Sequence, residues 1–285
     1  MANALFKILQ MIGRRDWIRF GVRRRLVRGC WRIWGRDYPF ETEVFGMRYA
    51  GNLQDYVDRC VYFFGGYEKS LLSLLRGKAE EIPDAVFVDV GANVGQHTLF
   101  MSRFCREVHA FEPLPMNLQR LETNIRLNGI SNVRLHPCGL GNVTGSFPFH
   151  VPSEDNLGIG AFLDAEHGVP SGATEKLPVA VADDYFPEHK IRPDIIKIDV
   201  EGFEARVLAG MQEVLKVFRP VVVLEFSMML RDQLKDKAEL ERLFPYPVRI
   251  RRVVSFGRWR YGLDEFRFEP SDILVEPMEL ESEQA

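Results

Sequence analysis

The stretch VFVDVGANVGQHTLF, residues 86–100, narrows the fold of this chain more than any other. A run of β-branched and aromatic side chains ends at Asp89, a turn carrying Gly91, Asn93 and Gly95 follows, and an amphipathic helical pattern begins at once. Glycines at such a turn let the backbone approach a ligand closely, and the N–H groups of the next helix face that ligand. In an open α/β sheet the turn lies at the carboxyl ends of the strands, where ligands bind. The spacing G-x-x-x-G is not the G-x-G-x-x-G of dinucleotide sites. Asp89 ahead of the turn suits a cationic or hydroxyl-bearing ligand better than a pyrophosphate. A tight strand-to-helix connection with no ligand is the plainer alternative.

From Ile82 onward short β-branched runs alternate with helical stretches, the pattern of a parallel sheet covered on both faces. Strands are expected at 86–90, 107–112, 132–136, 194–199 and 220–226, and helices at 95–105, 114–128 and 201–217. The 141–178 stretch, rich in Gly, Pro, Ser and Asp, reads as one strand at 146–151 and a loop that either covers a substrate or merely connects. A charged helix at 230–243 and antiparallel strands at 247–254 and 272–275 complete the pattern. Four segments result: a basic amphipathic helical arm (1–40), a helical lead-in (41–81), the α/β domain (82–275) and an acidic tail (276–285), expected to fray.

Residues 1–36 hold ten Lys or Arg and the single acid Asp16, which leaves a net −12 on the rest of the chain. Apolar residues recur in the arm at helical spacing, with breaks near Gly13, Gly21 and Gly29. One reading is a helical cap packed on the body; the other is an interfacial segment that touches an anionic membrane surface. Nucleic acid is not expected, since the body is acidic and the arm carries no base-reading motif. No apolar run approaches the ~18–20 residues of a membrane span. Cys30, Cys60, Cys105 and Cys138 lie far apart with no CxxC pair, and Arg14 and Arg15 interrupt the first apolar stretch before any cleavage site. A reducing, cytoplasmic setting is the expectation, peripheral to a membrane if the arm docks there.

Glu112 ends the second strand 17 residues after Gly95, where a carboxylate can accept both hydroxyls of a ribose. In DIIKIDVEGFEARVLAG the fourth strand delivers Lys197, Asp199 and Glu201 at period-two spacing, and Glu225 closes the fifth strand. Burying these charges unpaired would cost several kcal/mol, so they pair with each other or with a ligand. The plain alternative is a structural ion pair. No spacing here demands a metal, although Asp199, Glu201 and Glu225 could bridge one to an acceptor.

These motifs, with AFEP, CGLGN (138–142), VADDYF (181–186) and RPVVVLEF (219–226), resemble the FkbM family, a branch of the Rossmann-like class I methyltransferases. The likeness runs from about Phe87 to Phe226. It implies a seven-stranded, mostly parallel sheet with an antiparallel last strand, S-adenosyl-L-methionine as cofactor, and O-methylation as the commonest activity. It implies further that Asp89, Gly91, Asn93 and Gly95 hold the methionine part and Glu112 the ribose, with Gly139 and Asn142 flanking the adenine. Cys138 and Asn142 stand where such proteins often carry Ala and Asp. Asp199 falls where the family places a carboxylate beside the reactive methyl.

The expected activity is methyl transfer to a hydroxyl of a small-molecule, glycan or lipid-like acceptor, with Asp199 or Glu201 as base and Lys197 orienting the carboxylate. His97 is a rival base. An NAD-dependent oxidoreductase on the same kind of sheet is disfavoured, because neither Tyr185 nor Tyr261 has a Lys four residues on. A non-catalytic, membrane-docked protein that binds the cofactor is the third reading.

Overall fold

The computed structural model describes residues 2–15, 18–34, 37–151, 161–162, 174–257 and 259–279. Five parallel strands, each rich in Val, Ile or Phe, form the centre of the main sheet. Across it they run Val133–His136, Glu107–Phe111, Val86–Val90, Ile195–Ile198 and Val221–Phe226. Every residue of Val86–Val90 and Ile195–Ile198 is buried, as parallel strands covered on both faces require. The chain moves outward one way from Val86–Val90 and then returns to build the other half from Ile195–Ile198. The carboxyl ends of these two neighbours therefore bound the crevice where strand order reverses.

Ser271–Pro277 pairs antiparallel with Val221–Phe226, and Val248–Ser255 pairs antiparallel with it in turn. The antiparallel last strand is thus present, but the sheet has eight strands rather than seven. The extra one is Tyr261–Glu265, folded back on Val248–Ser255. Its sequence, YGLDE, is too polar and too glycine-rich to read as a strand. It holds because Tyr261 and Leu263, two apart, both pack onto the core while Asp264 and Glu265 remain exposed.

A second sheet of four strands, Gly139–Gly141, Thr174–Val181, Gly145–His150 and Ala161–Phe162, occupies the middle stretch, where a single strand was expected. Most of the loop expected over the site lies outside the described residues. The lead-in also differs. It opens with the hairpin Pro39–Val44 and Met47–Asn52, turning at Phe45 and Gly46 in left-handed conformations, before the helices Tyr56–Phe64 and Lys69–Glu80. Glu276, expected in a frayed tail, belongs to the last strand and pairs with Lys78 and Arg251.

In the arm, helices Ala2–Gly13 and Phe20–Trp34 pack one side onto the body. Phe6, Leu9 and Val27 join its core, and Arg14 donates to the carbonyls of Tyr62, Val61 and Glu43. Ile8, Met11, Phe20, Val22 and Leu26 stay exposed. No helix among the described residues is long and apolar enough to cross a membrane.

The expected helix at 201–217 is two helices, Glu204–Ala209 and Gln212–Phe218, broken at Gly210. A Cβ there would sit 1.9 Å from the carbonyl oxygen of Gly141, so the break brings the helix against the backbone beside the site. Gly210→Ala should therefore destabilise the protein by about 1–3 kcal/mol, through overpacking that backbone cannot relieve. An unchanged urea midpoint would refute this close approach.

Candidate active site

The glycine turn is shaped by contacts on three sides. The N–H groups of Gly91 and Ala92 both donate to the carbonyl of Phe111, at 3.0 Å each. Gly91 takes φ +80°, and a Cβ on it would lie 2.0 Å from the carbonyl oxygen of Asp199, so the turn abuts the end of the neighbouring strand. Gly95, at φ +86°, leaves room for Leu121 in the same way. Glu112 holds the turn from above: it accepts from the N–H of Asn93 at 2.8 Å, from that of Leu114 at 3.0 Å and from Asn117 at 3.4 Å. Burial nonetheless pushes its pKa up to about 7. Oε1 already accepts two of these bonds, while Oε2, with the Asn93 N–H alone, keeps a lone pair for a further donor.

Lys197 and Asp89 are direct partners across adjacent strands, which turns a sequence separation of more than a hundred residues into a contact. The Lys197 ammonium lies 3.6 Å from Asp89 and 3.1 Å from Asp199, and is 2% exposed. Burial favours its neutral form, yet the carboxylates of Asp199, Asp89 and Glu68 hold its pKa above the ordinary lysine value. Asp89, wholly buried, also accepts from the Thr98 hydroxyl at 2.6 Å.

Around this amine the acids divide by environment. Burial works against ionised Asp199, but Lys197 and a hydrogen bond from Glu225 outweigh it and keep Asp199 an anion. Glu225 is displaced strongly upward by burial and by Asp199 and Glu201, so it carries the proton of that bond. Burial and Asp199 lift Glu201 to about 7, and Glu68 is lifted to about 8 by burial and by Asp272 and Asp199. Glu201 holds φ +52°, a left-handed conformation costly for a residue with a Cβ. Asp199, Glu201 and Glu225 each bring an oxygen within 4.8 Å of the others.

One cavity of about 280 Å³ collects these groups. Of the residues singled out from sequence, Gly91, Asn93, Glu112, Gly139, Lys197, Asp199 and Glu201 line it. Asp89 and Gly95 stand behind the lining, and Asn142 is exposed away from it. From this segment the strand Gly139–Gly141 presents Gly139 and Leu140 to the cavity.

Residues 89–269 match the FkbM methyltransferase domain. The chain belongs to the FkbM methyltransferase family. It is 32% identical over 157 residues to the hexuronic acid methyltransferase AglP of Haloferax volcanii, covering 55% of this chain and 61% of that protein. It is 30% identical over 148 residues to methyltransferase 1 of Beauveria bassiana, covering 46% of this chain and 59% of that protein. The matches thus span about three fifths of these relatives. Among solved structures it is similar to a methyltransferase FkbM from Methylobacillus flagellatus, with a TM-score of 0.45, 20% identity, and coverage of 67% of this chain and 44% of that one. Membership removes the oxidoreductase reading of the sheet.

In this FkbM chain the cavity also contains residues that sequence reasoning passed over. Tyr67 and Glu68 enter it from the start of helix Lys69–Glu80, in a lead-in that carries no site motif. Gln96 fixes them by accepting from the Tyr67 N–H and donating to its carbonyl. Asp272 arrives because it pairs in register with Glu225. His97 lines the wall 3.7 Å from Glu68, but burial and Lys197 depress its pKa to about 3, which leaves it neutral and too weak a base to rival the carboxylates.

Acids whose folded pKa is raised favour the native state at low pH. For Glu112 and Glu201 that stability is complete below the ordinary glutamate value near 4.3 and is lost as pH rises through about 7. The melting temperature of the ligand-free protein should therefore fall across this window, and Glu201→Gln should flatten the fall. A melting temperature that climbs instead would contradict the burial of these groups.

Proposed function

We propose that this chain transfers the methyl group of S-adenosylmethionine to a hydroxyl of a small-molecule, glycan or lipid-like acceptor. The observation that carries the reading is the acid-rich cavity wrapped by the glycine turn. With Asp199 ionised and its amine already paired, the cavity attracts a cation and repels an anion. Asp89, through Lys197, would set the charge of the site; Gly91 and Asn93 would receive the methionine part, and Glu112 the ribose. The buried, unpartnered Oδ1 of Asn93 and Oε2 of Glu112 offer acceptors for such a ligand. Gly139 and Leu140 would face the base. S-adenosylmethionine supplies an electrophilic methyl whose bond to sulfur breaks with its electron pair, leaving a neutral thioether.

The protein's part is alignment and proton removal. Glu201, with a pKa of about 7, is matched to take the hydroxyl proton near neutral pH, which a carboxylate of ordinary strength is not. Lys197 holds Asp199 in place and ionised, and Asp199 keeps a negative charge beside the reacting carbon. The relative named for hexuronic acid favours a sugar among the candidate acceptors.

Calorimetry with S-adenosylmethionine tests the binding step, and absence of heat from the folded protein would end this proposal. Glu201→Gln should lower kcat by about 10²–10³ and remove the rising limb of the pH profile near 7, with cofactor affinity nearly unchanged. Asp199→Asn should abolish most turnover; retained activity would take Asp199 out of the mechanism.

The 4.8 Å grouping of Asp199, Glu201 and Glu225 favours one second reading, a divalent cation that binds the acceptor oxygen. Turnover that survives EDTA and ignores added Mg²⁺ would eliminate it.

The arm is proposed to touch anionic membrane, because exposed Val22 and Leu26 share one flank of a helix whose Arg24, Arg25 and Arg28 are also exposed. Cosedimentation with phosphatidylglycerol vesicles should fall with salt and with Val22→Glu or Leu26→Glu, whereas salt-insensitive behaviour would leave the arm a packed cap.

A further inference from the structure

A second cavity, of about 700 Å³, opens beneath the arm and shares the walls Tyr56, Tyr67 and Glu68 with the first. The two tyrosine rings meet edge to face with centroids 5.7 Å apart, so the cavities are separated by little more than an aromatic waist. The outer cavity is walled by Ile18, Phe20, Phe64 and Phe256. Phe20 and Phe256 are 54% and 61% exposed, which leaves large apolar surface in water unless something covers it. Polar groups on its floor are already engaged. The Lys69 amine donates to the carbonyl of Phe64, and the Ser70 hydroxyl is bonded to Ser255 and to the carbonyl of Arg260. Burial holds the Cys60 thiol up at about 12, so it offers no nucleophile.

The two cavities differ in charge. Among the described residues the inner one carries Asp199, Glu201, Glu225 and Asp272 around the Lys197 amine, whereas Arg19, Arg23 and Lys69 border the outer one with Glu68 as the acid in its lining. An anionic group is therefore repelled from the inner end and drawn to the arm, while apolar walls lie between. We infer that the outer cavity is the acceptor's own site, and that the acceptor is an amphiphile. Its hydroxyl passes the Tyr56–Tyr67 waist toward Glu201, its apolar segment lies among Phe20, Phe64 and Phe256, and its anionic group rests at Arg19. The inference rests on the methyl-transfer reading and adds the acceptor's class and route. A volume of about 700 Å³ falls within the ~300–1,000 Å³ of ligand pockets.

The full chain, saturated with S-adenosylhomocysteine, is titrated with ω-hydroxydodecyl phosphate and, separately, with its trimethylammonium counterpart. The phosphate is expected to bind at least about tenfold more tightly. Arg19→Glu should reverse that preference, and Phe256→Asp should weaken both probes about tenfold, with the affinity for S-adenosylhomocysteine unchanged in each variant. Equal binding of the two probes, or indifference to both substitutions, would overturn the inference. Failure of S-adenosylhomocysteine itself to bind would instead sink the methyl-transfer reading, so the two failures are told apart.

Discussion

The site depends on one buried ammonium. Lys197 sits at a strand end with Asp89 on one side and Asp199 on the other, and neither carboxylate could be held there as an anion without it. It also sets the division of labour among the remaining acids. Asp199 keeps its charge because the amine is near, and burial together with that charge makes Glu225 take a proton and lifts Glu201 to about 7. Substituting Lys197 would thus disturb every acid around it rather than one pair.

Topology places that ammonium where it can act. Val86–Val90 and Ile195–Ile198 are neighbours only because the chain reverses its direction of sheet growth, and the glycine turn closes over the gap they leave. The fit is tight: no side chain is admitted at Gly91 against Asp199, or at Gly210 against Gly141. The elements outside the central strands then supply the rest of the cavity, with Tyr67 and Glu68 from the lead-in and Asp272 from the antiparallel strand.

The central strands and the glycine turn were legible because each is a local pattern, and a continuous apolar run can be satisfied only by burial on both faces. Helix ends were less legible. The 201–217 helix breaks at Gly210 for a contact with Gly141 that no local window contains, and the 230–243 helix splits because Asp236 caps a new start. The hairpin at 39–52 turns on a left-handed Phe45, a choice that side-chain propensity argues against. The strand Tyr261–Glu265 exists through its pairing partner rather than through its own residues.

For the site, the sequence by itself determined which ionisable groups stand at or beside strand ends: Asp89, Glu112, Lys197, Asp199 and Glu225 follow from strand limits, whereas Glu201 lies past the end of Ile195–Ile198 in a left-handed turn that a period of two does not describe. Only the tertiary structure decided what those groups are chemically. A pKa depends on burial and on charges within a few ångströms, and the register that brings Lys197 beside Asp89, or Asp272 beside Glu225, joins residues distant along the chain. The same reasoning leaves Asn142 exposed outside the lining of the cavity and brings in Glu68, which no motif marks.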